Sequence, residues 1–353
     1  MDSKTTASLS YVGSKGTHLF LAGAATYSMR NLNQLPDQYL SMGAALMDSV
    51  KNPLYGKITS GLMAGSTVFA GNMLQPYPQY QRVKKEDPRE ASSTYNALQA
   101  SLNRHFGNGG VLGLAYTWSK LLSNTDSVNS FMDGADSGGV GMIQNNNNLR
   151  SEKSLSMQDF PMNLQISYSI DLPFGAHQRY LKDAGKVVVP IVSGWRMSGI
   201  TTFRSGAPIA VTGAPNNLSL YFGASNDTYG LAVMRPNVVA GCSKGGSRTP
   251  KNGVISWFNA NCFTSPDANA FGNESRTDSQ LRADGMKNFD FSLIKSTPIT
   301  EKAKLEFDAQ FFNIFNRTQF AQPESWSFEP TFGQVSSQAN NPRLMQFALR
   351  LAF

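Results

Sequence analysis

The stretch Arg343-Leu344-Met345-Gln346-Phe347-Ala348-Leu349-Arg350-Leu351-Ala352-Phe353 alternates apolar and polar side chains and stops on an aromatic. Such strict alternation is the period of a strand with two different faces. Met345, Phe347, Leu349, Leu351 and Phe353 share one face, and Gln346, Ala348, Arg350 and Ala352 share the other. A tilted barrel strand crosses a bilayer in about 9–11 residues, which is the length available here. The stretch therefore reads as the closing strand of an outer-membrane β-barrel, with its apolar face toward lipid and its polar face toward a wet lumen.

The same period recurs along the rest of the chain. Asn163 to Asp171 alternates as cleanly, with Leu164, Ile166, Tyr168, Ile170 and Leu172 set against Asn163, Gln165, Ser167, Ser169 and Asp171. Trp195 to Arg204, Asn288 to Ile294 and Lys304 to Phe311 repeat the scheme. Their polar faces carry Arg196, Arg204, Asp290, Lys304, Glu306 and Asp308. Water in a lumen tolerates these charges, whereas a dry sandwich core would be destabilised by several kcal/mol for each one left unpaired. Tyr95 to Phe106 and Val111 to Lys120 form an expected hairpin around Gly107-Asn108-Gly109-Gly110. A further expected pair, Thr5 to Val12 and Thr17 to Thr26, flanks a turn at Gly13 to Gly16. Pro36 to Val50 has helical character, with Leu40, Ala44 and Met47 on one side.

This reading gives about nine strands, with short or moderate links after Phe106, Leu172 and Ile294 and long ones after Lys120, Arg204 and Phe315. Outer-membrane barrels have short periplasmic turns and long extracellular loops, so the C-terminus is expected in the periplasm. An odd strand count places the first and last strands in the same direction. The chain is therefore expected to be part of a larger antiparallel barrel rather than a closed one.

Composition permits this fold. Hydrophobic residues make up 41% of the 353, mean hydropathy is −0.29, and no apolar run approaches the 18 or so residues of a spanning helix. A barrel strand needs only every second residue apolar. The 31 glycines, 11% aromatic content and 16% charge suit strands and turns. The net charge of +7 is spread over short clusters such as Lys84-Lys85 and Lys244 to Arg248. Without a basic stripe, no nucleic-acid partner is expected. Met1 to Ser10 has no charged and apolar leader, so the secretory signal that such a protein requires is expected upstream.

Candidate sites are sparse. Cys242 and Cys262 read as a loop disulfide in an oxidising compartment, with two free thiols as the alternative. Asp126, Asp133 and Asp136 lie among glycines and could offer oxygen ligands to calcium, but their spacing departs from an EF-hand loop. His18, His105 and His177 fall in no catalytic motif, so neither enzymatic activity nor a cofactor or metal is expected. Trp118, Trp195, Tyr116, Phe311 and Phe315 suit the aromatic girdles at membrane boundaries.

Several strings, in order, resemble one known family. They are Tyr95-Asn96-Ala97-Leu98-Gln99, Tyr116-Thr117-Trp118-Ser119-Lys120, Leu172-Pro173-Phe174-Gly175, Gly194-Trp195-Arg196-Met197-Ser198-Gly199 and Ser205-Gly206-Ala207-Pro208. Arg235-Pro236-Asn237, Trp257-Phe258-Asn259, Phe271-Gly272-Asn273 and Phe311-Phe312-Asn313-Ile314-Phe315-Asn316 continue the set. Together they resemble the Oar-like, Acidobacteria-type branch of TonB-dependent outer-membrane receptors.

The resemblance implies that residues 1–353 are the C-terminal part of a barrel of about 22 strands. The signal peptide, regulatory-like domain and plug of such receptors have no counterpart here. Coupling to the TonB complex would come only through that missing N-terminal part. The loops Ser123 to Asp159, Ala207 to Met286 and Asn316 to Asn341 would capture a small ligand, such as a carbohydrate, peptide or siderophore. Tyr221, Phe222, Tyr229, Trp257 and Trp326 are candidate stacking surfaces, with loop packing as their plainer role. Phe353, Leu351, Leu349 and Phe347 would be read by the barrel-assembly machinery. The rival readings are a surface adhesin or carbohydrate-binding β-protein, a secreted β-rich hydrolase, and a truncated receptor fragment without function.

Overall fold

A computed structural model describes residues 4–21, 29–106, 109–126, 143–176, 178–224 and 234–353. Eight long strands among them form one antiparallel wall. They are β1 Thr5–Leu19, β2 Ala91–His105, β3 Val111–Ser123, β4 Met162–Asp171, β5 Trp195–Arg204, β6 Met286–Pro298, β7 Lys304–Phe312 and β8 Leu344–Ala352. Each pairs with the next in sequence, and the short strand Ser154–Leu155 adds to β3 beyond the end of β4. No described helix is long and apolar enough to cross a membrane.

The register sorts the side chains into two faces, because directly opposed residues point the same way. Ser169, Ser198, Ser292, Gln310 and Gln346 lie on one continuous row, as do Asp171, Arg196, Ile294, Asp308 and Ala348. The opposite face carries rows such as Tyr11, Leu98 and Trp118, or Met197, Leu293, Ala309 and Phe347. Phe347, Leu349, Leu351 and Phe353 are 61%, 68%, 54% and 94% exposed, as surfaces that meet lipid must be. Phe203, Phe289 and Phe315 run edge to face along this side at 5.4 and 4.9 Å, and Phe291, Phe311 and Phe347 continue it at 6.1 Å spacings.

Lysines bracket the apolar face. On β6, Lys287 and Lys295 enclose Phe289, Phe291 and Leu293, eight residues apart and so about 27 Å along the strand. At a barrel tilt this is roughly 20 Å of height, close to the apolar band of an outer-membrane barrel. Lys295 Nζ donates to the carbonyls of Pro190, Ile191 and Ser193 at 2.9 Å, and lies 5.2 Å from the centre of the Trp195 ring. It thus reaches past the end of the strand to polar partners, the snorkelling expected of a lysine at a membrane boundary.

Three sequence expectations need correction. The pair around Gly13 to Gly16 does not form: β1 passes straight through both glycines, with Gly13 opposite Asn96 and Gly16 opposite Ser93. Neither glycine has a positive φ. Gly13 lets the Tyr11 ring lie along the strand, since a Cβ there would sit 3.2 Å from the Tyr11 hydroxyl. The described long strands consequently number eight rather than nine, and β1 and β8 run in opposite directions. The parity objection to closure disappears, although among the described residues no ladder joins β1 to β8 and the wall is open. Thirdly, Asp37–Met47 is a 3-10 helix interrupted at Gly43 (φ 55°), with Leu46 buried rather than Ala44.

The links segregate by length. Residues 106–110, 172–194 and 299–303 connect strands at one end, and 20–90, 124–161, 205–285 and 313–343 at the other. The dry cores lie in these long loops, not in the wall.

Candidate functional site

Two features stand at the working end of the wall: a polar trough on its inner face and a dome of four long loops above it. The trough comes from the alternation that sends Ser, Asn, Gln and Asp to one side. A hollow of about 390 Å³ is lined by Ser167, Ser169, Ser198, Asp290, Ser292 and Gln310 among others. Its charges are held by neighbours: Arg196 Nε donates to Asp171 at 2.7 Å, Ser292 Oγ and Gln310 Nε2 to Asp308 at 2.9 and 2.7 Å, and Asn288 Nδ2 to Asp290 at 2.8 Å. Val111, Ile200 and Phe312 stand among these groups on the same face, so the hollow offers apolar as well as polar contacts. On the outer face, Tyr168 crosses the wall over Gly199, where a Cβ would meet its hydroxyl at 2.6 Å.

A second polar hollow of about 350 Å³ lies where the fourth loop meets the trough, lined by Asn288, Asp290, Asn313, Arg317, Asn340 and Asn341 among others. Asn313 anchors it, since its backbone N–H donates to Asp290 at 3.0 Å and its amide to the carbonyls of Arg317 and Asn341.

The dome is welded by two apolar cores. In one, Leu35 and Leu46 of the first loop meet Leu218, Phe222 and Met234 of the third. In the other, Ile209, Val211, Trp257, Phe258 and Phe263 of the third loop meet Phe332 and Val335 of the fourth. Phe258, Phe263 and Phe332 form an edge-to-face triad at 5.1 to 5.8 Å. Burying each such side chain stabilises by about 1.5–3 kcal/mol.

Polar groups complete the weld. Arg276, fully buried, pairs with Asp126, and buried Arg235 pairs with Glu152, tying the third loop to the second. Burial pulls the Arg235 guanidinium below its ordinary value while Glu152 opposes it. Lys244 bridges Glu274 and Asp278. Burial would lower its affinity for the proton, but the two carboxylates outweigh that and hold it above the usual lysine value. Burial and then Asp278 push Glu274 up, against Lys244. Between the first and second loops, Gln34 Nε2 donates to Asn145 at 2.6 Å, the backbone of Asn146 donates to Gln34 at 2.6 Å, and Asn145 Nδ2 donates to Asp37 at 2.8 Å.

The candidate residues take these places. Cys242 and Cys262 are joined by a disulfide with Cα atoms 5.4 Å apart. Closing that loop contributes about 3 kcal/mol by chain entropy. Phe222 is fully buried against Gly71, and Tyr221 stands edge to face with Phe69 at 5.2 Å. Trp257 is 3% exposed, donates Nε1 to the Arg282 carbonyl at 2.8 Å and is capped by Arg248. Trp326 is half-buried beside Phe328 at 5.2 Å. As stacking surfaces, Phe222 and Trp257 are corrected by this burial: their rings hold the loops together. Tyr229 lies outside the described residues.

Of the calcium candidates, Asp133 and Asp136 also lie outside them, while Asp126 already accepts from Arg276, Ser156 and the Met157 N–H. His18 and His105 sit near opposite ends of the wall, and His177 is outside the described residues. Trp118 and Phe315 are exposed, at 59% and 70%, and Trp118 and Phe311 lie on the lipid face toward the loop end of their strands. Trp195 starts β5 at the opposite boundary, and Tyr116 lies in the middle of the band.

The buried ion pairs and the amide network escaped sequence reasoning. The only signal was the run Gln144-Asn145-Asn146-Asn147-Asn148, too amide-rich for an ordinary solvated loop.

Among curated proteins, none matches this chain. A wall with a lipid face and a wet face, short links at one end and long loops at the other, is the architecture of an outer-membrane barrel. In agreement, the family described as outer membrane beta barrel domain matches residues 1–346, and the chain belongs to that family.

Proposed function

We propose that these residues form part of the barrel wall and the external dome of an outer-membrane receptor for TonB-dependent uptake of a small hydrophilic ligand, such as a carbohydrate, peptide or siderophore. The observation that carries this reading is the pairing of an inner face rich in polar and charged side chains with a loop dome that has its own cores. A passive pore needs only the first, and an adhesin only the second. In this reading the dome faces outward and β8 descends to the periplasm, where Phe347, Leu349, Leu351 and Phe353 present the signal for barrel assembly. Coupling to the TonB complex would be supplied by an N-terminal part, with residues 1–353 as the C-terminal part of the barrel.

The test uses an antibody against residues 205–285, a segment that includes the disulfide. It is expected to label intact cells and to detect, in purified outer membranes, a band far above the 38.4 kDa of this chain that crosslinks to TonB. A 38.4 kDa band that does not crosslink would overturn the receptor reading.

A further inference from the structure

A hollow of about 860 Å³ lies away from the trough, at the loop end of β2 and β3. Its lower wall belongs to the lipid face. Tyr11, Leu98 and Trp118 stand directly opposite one another on β1, β2 and β3 and form one rung of that face. Tyr11 and Trp118 are 70% and 59% exposed. The next rung toward the loops is Gly13, Asn96 and Lys120, so the surface turns from aromatic to polar within two residues, about 7 Å along the strand. Tyr11 Oη donates to Asn96 at 2.6 Å across that boundary.

The upper wall is cationic and rich in hydroxyls. Lys153 and Ser154 come from the second loop, and Ser275, Thr277 and Arg282 from the third. Among the described residues, Lys120 and Lys153 have no ion-pair partner. Arg282 is fixed in place by Asp159 at 2.5 Å and by the Gly206 carbonyl at 3.1 Å. Asp159 is the one carboxylate of the lining and is already engaged by Arg282 and the Leu121 N–H. With Arg282 and Asp159 paired, the two lysines leave the upper wall positive, directly above an exposed aromatic and aliphatic surface.

We propose that this hollow binds an anionic phospholipid or glycolipid of the surrounding leaflet, with its phosphate between Lys120, Lys153 and Arg282 and an acyl chain along Leu98 and Trp118. Charge complementarity selects the head group, and the lipid-facing rung selects an amphiphile over a soluble anion. A lysine at a membrane surface contributes a factor of about five in affinity for anionic lipid, so removing both lysines should weaken binding about thirtyfold.

The experiment titrates the full chain, folded in neutral detergent micelles, with phosphatidic acid or phosphatidylcholine carrying brominated acyl chains, and reads quenching of tryptophan emission. Phosphatidic acid is expected to quench at much lower mole fraction than phosphatidylcholine. Trp118→Phe should remove the component specific to phosphatidic acid. Lys120→Gln with Lys153→Gln should abolish the preference while leaving quenching by phosphatidylcholine unchanged, which shows that the wall is still folded. Lys287→Gln, on the same face but outside the hollow, should keep the preference. Equal quenching by the two lipids, a preference that survives the double lysine variant, or displacement of phosphatidic acid by millimolar inorganic phosphate would each overturn the proposal.

Discussion

Replacing Arg276 by methionine tests whether the loops form a dome that is cohesive on its own account. The side chain is completely buried. Its Nη1 pairs with Asp126, its Nη2 donates to the carbonyls of Ser123 and Leu155 at 2.9 and 3.3 Å, and its Nε donates to the Glu152 carbonyl at 3.1 Å. Methionine keeps much of the length and removes every donor. Asp126, 4% exposed, would retain only Ser156 Oγ and the Met157 N–H, at 2.7 and 3.0 Å. Breaking a buried pair by removing one partner costs about 3–5 kcal/mol, because the remaining charge is stranded. At 1.4 kcal/mol per decade, that is roughly two to three and a half powers of ten in the equilibrium for opening the dome.

Hydrogen exchange of the chain in detergent micelles measures this directly. Amide protection in 143–161 and 205–285 should fall by that factor, or to nothing if the dome has less stability to lose, while β5 to β8 keep theirs. Adding Asp126→Asn should restore a large part of the loss, because the stranded charge disappears even though the carbonyls of Ser123, Leu155 and Glu152 still lack their guanidinium donors. Unchanged protection in the loops would refute the weld. Equal loss in loops and wall strands would refute its independence from the wall.

The assignment of faces predicts an asymmetry between neighbours on β8: Leu349→Lys places a charge in the hydrocarbon and should cost about 2–4 kcal/mol on folding into vesicles, whereas Ala348→Lys, beside Asp308, should fold nearly as wild type. Similar yields for the two, read by resistance to unfolding in cold detergent, would show that the faces are misassigned. Glu90 supplies a pH prediction. Burial raises its carboxyl pKa, but Lys85 and Arg30 together outweigh burial and hold it below the ordinary 4.5, so its contribution is present above 4.5 and is lost as pH falls through the lower folded value. Pepsin should therefore cut the first loop increasingly as the pH drops below 4.5, and Glu90→Gln should be cut readily across the whole range.

The wall was legible because lipid on one side and water on the other impose a period of two on every crossing. Trp195–Arg204 was read to the residue, and Met162–Asp171 to within one. β1 failed because Gly13 and Gly16 carry turn propensity, which the ladder to β2 and the ring of Tyr11 override. The 3-10 helix failed in type because Gly43 breaks the α-helical path. The dome was illegible for a different reason. Arg276 and Asp126 are 150 residues apart, Asn146 and Gln34 are 112 apart, and neither pair lies in a periodic segment. Their meeting depends on the wall bringing four loop bases together, and beyond the amide-rich run Gln144 to Asn148 local sequence carries no trace of it.

The same dependence orders the folding of the two parts. The wall buries little apolar surface against itself: Ala97 and Ala309 are among its few buried apolar side chains. Its hydrophobic stabilisation must come from lipid, and it is available only after insertion. The dome holds fully buried Phe222, Phe258, Leu35, Leu46 and Arg276, together with the disulfide, and needs only water around it. Yet each dome core joins residues from two loops, and each loop begins and ends on adjacent wall strands. Closing those cores without the wall would cost the entropy of fixing long, separate loops against one another. With the strands paired, most of that cost has already been met at the loop bases. The dome therefore forms after the wall and stabilises it in return, since opening the wall between β5 and β6 must also pull on the third loop that joins them and on the core it shares with the fourth.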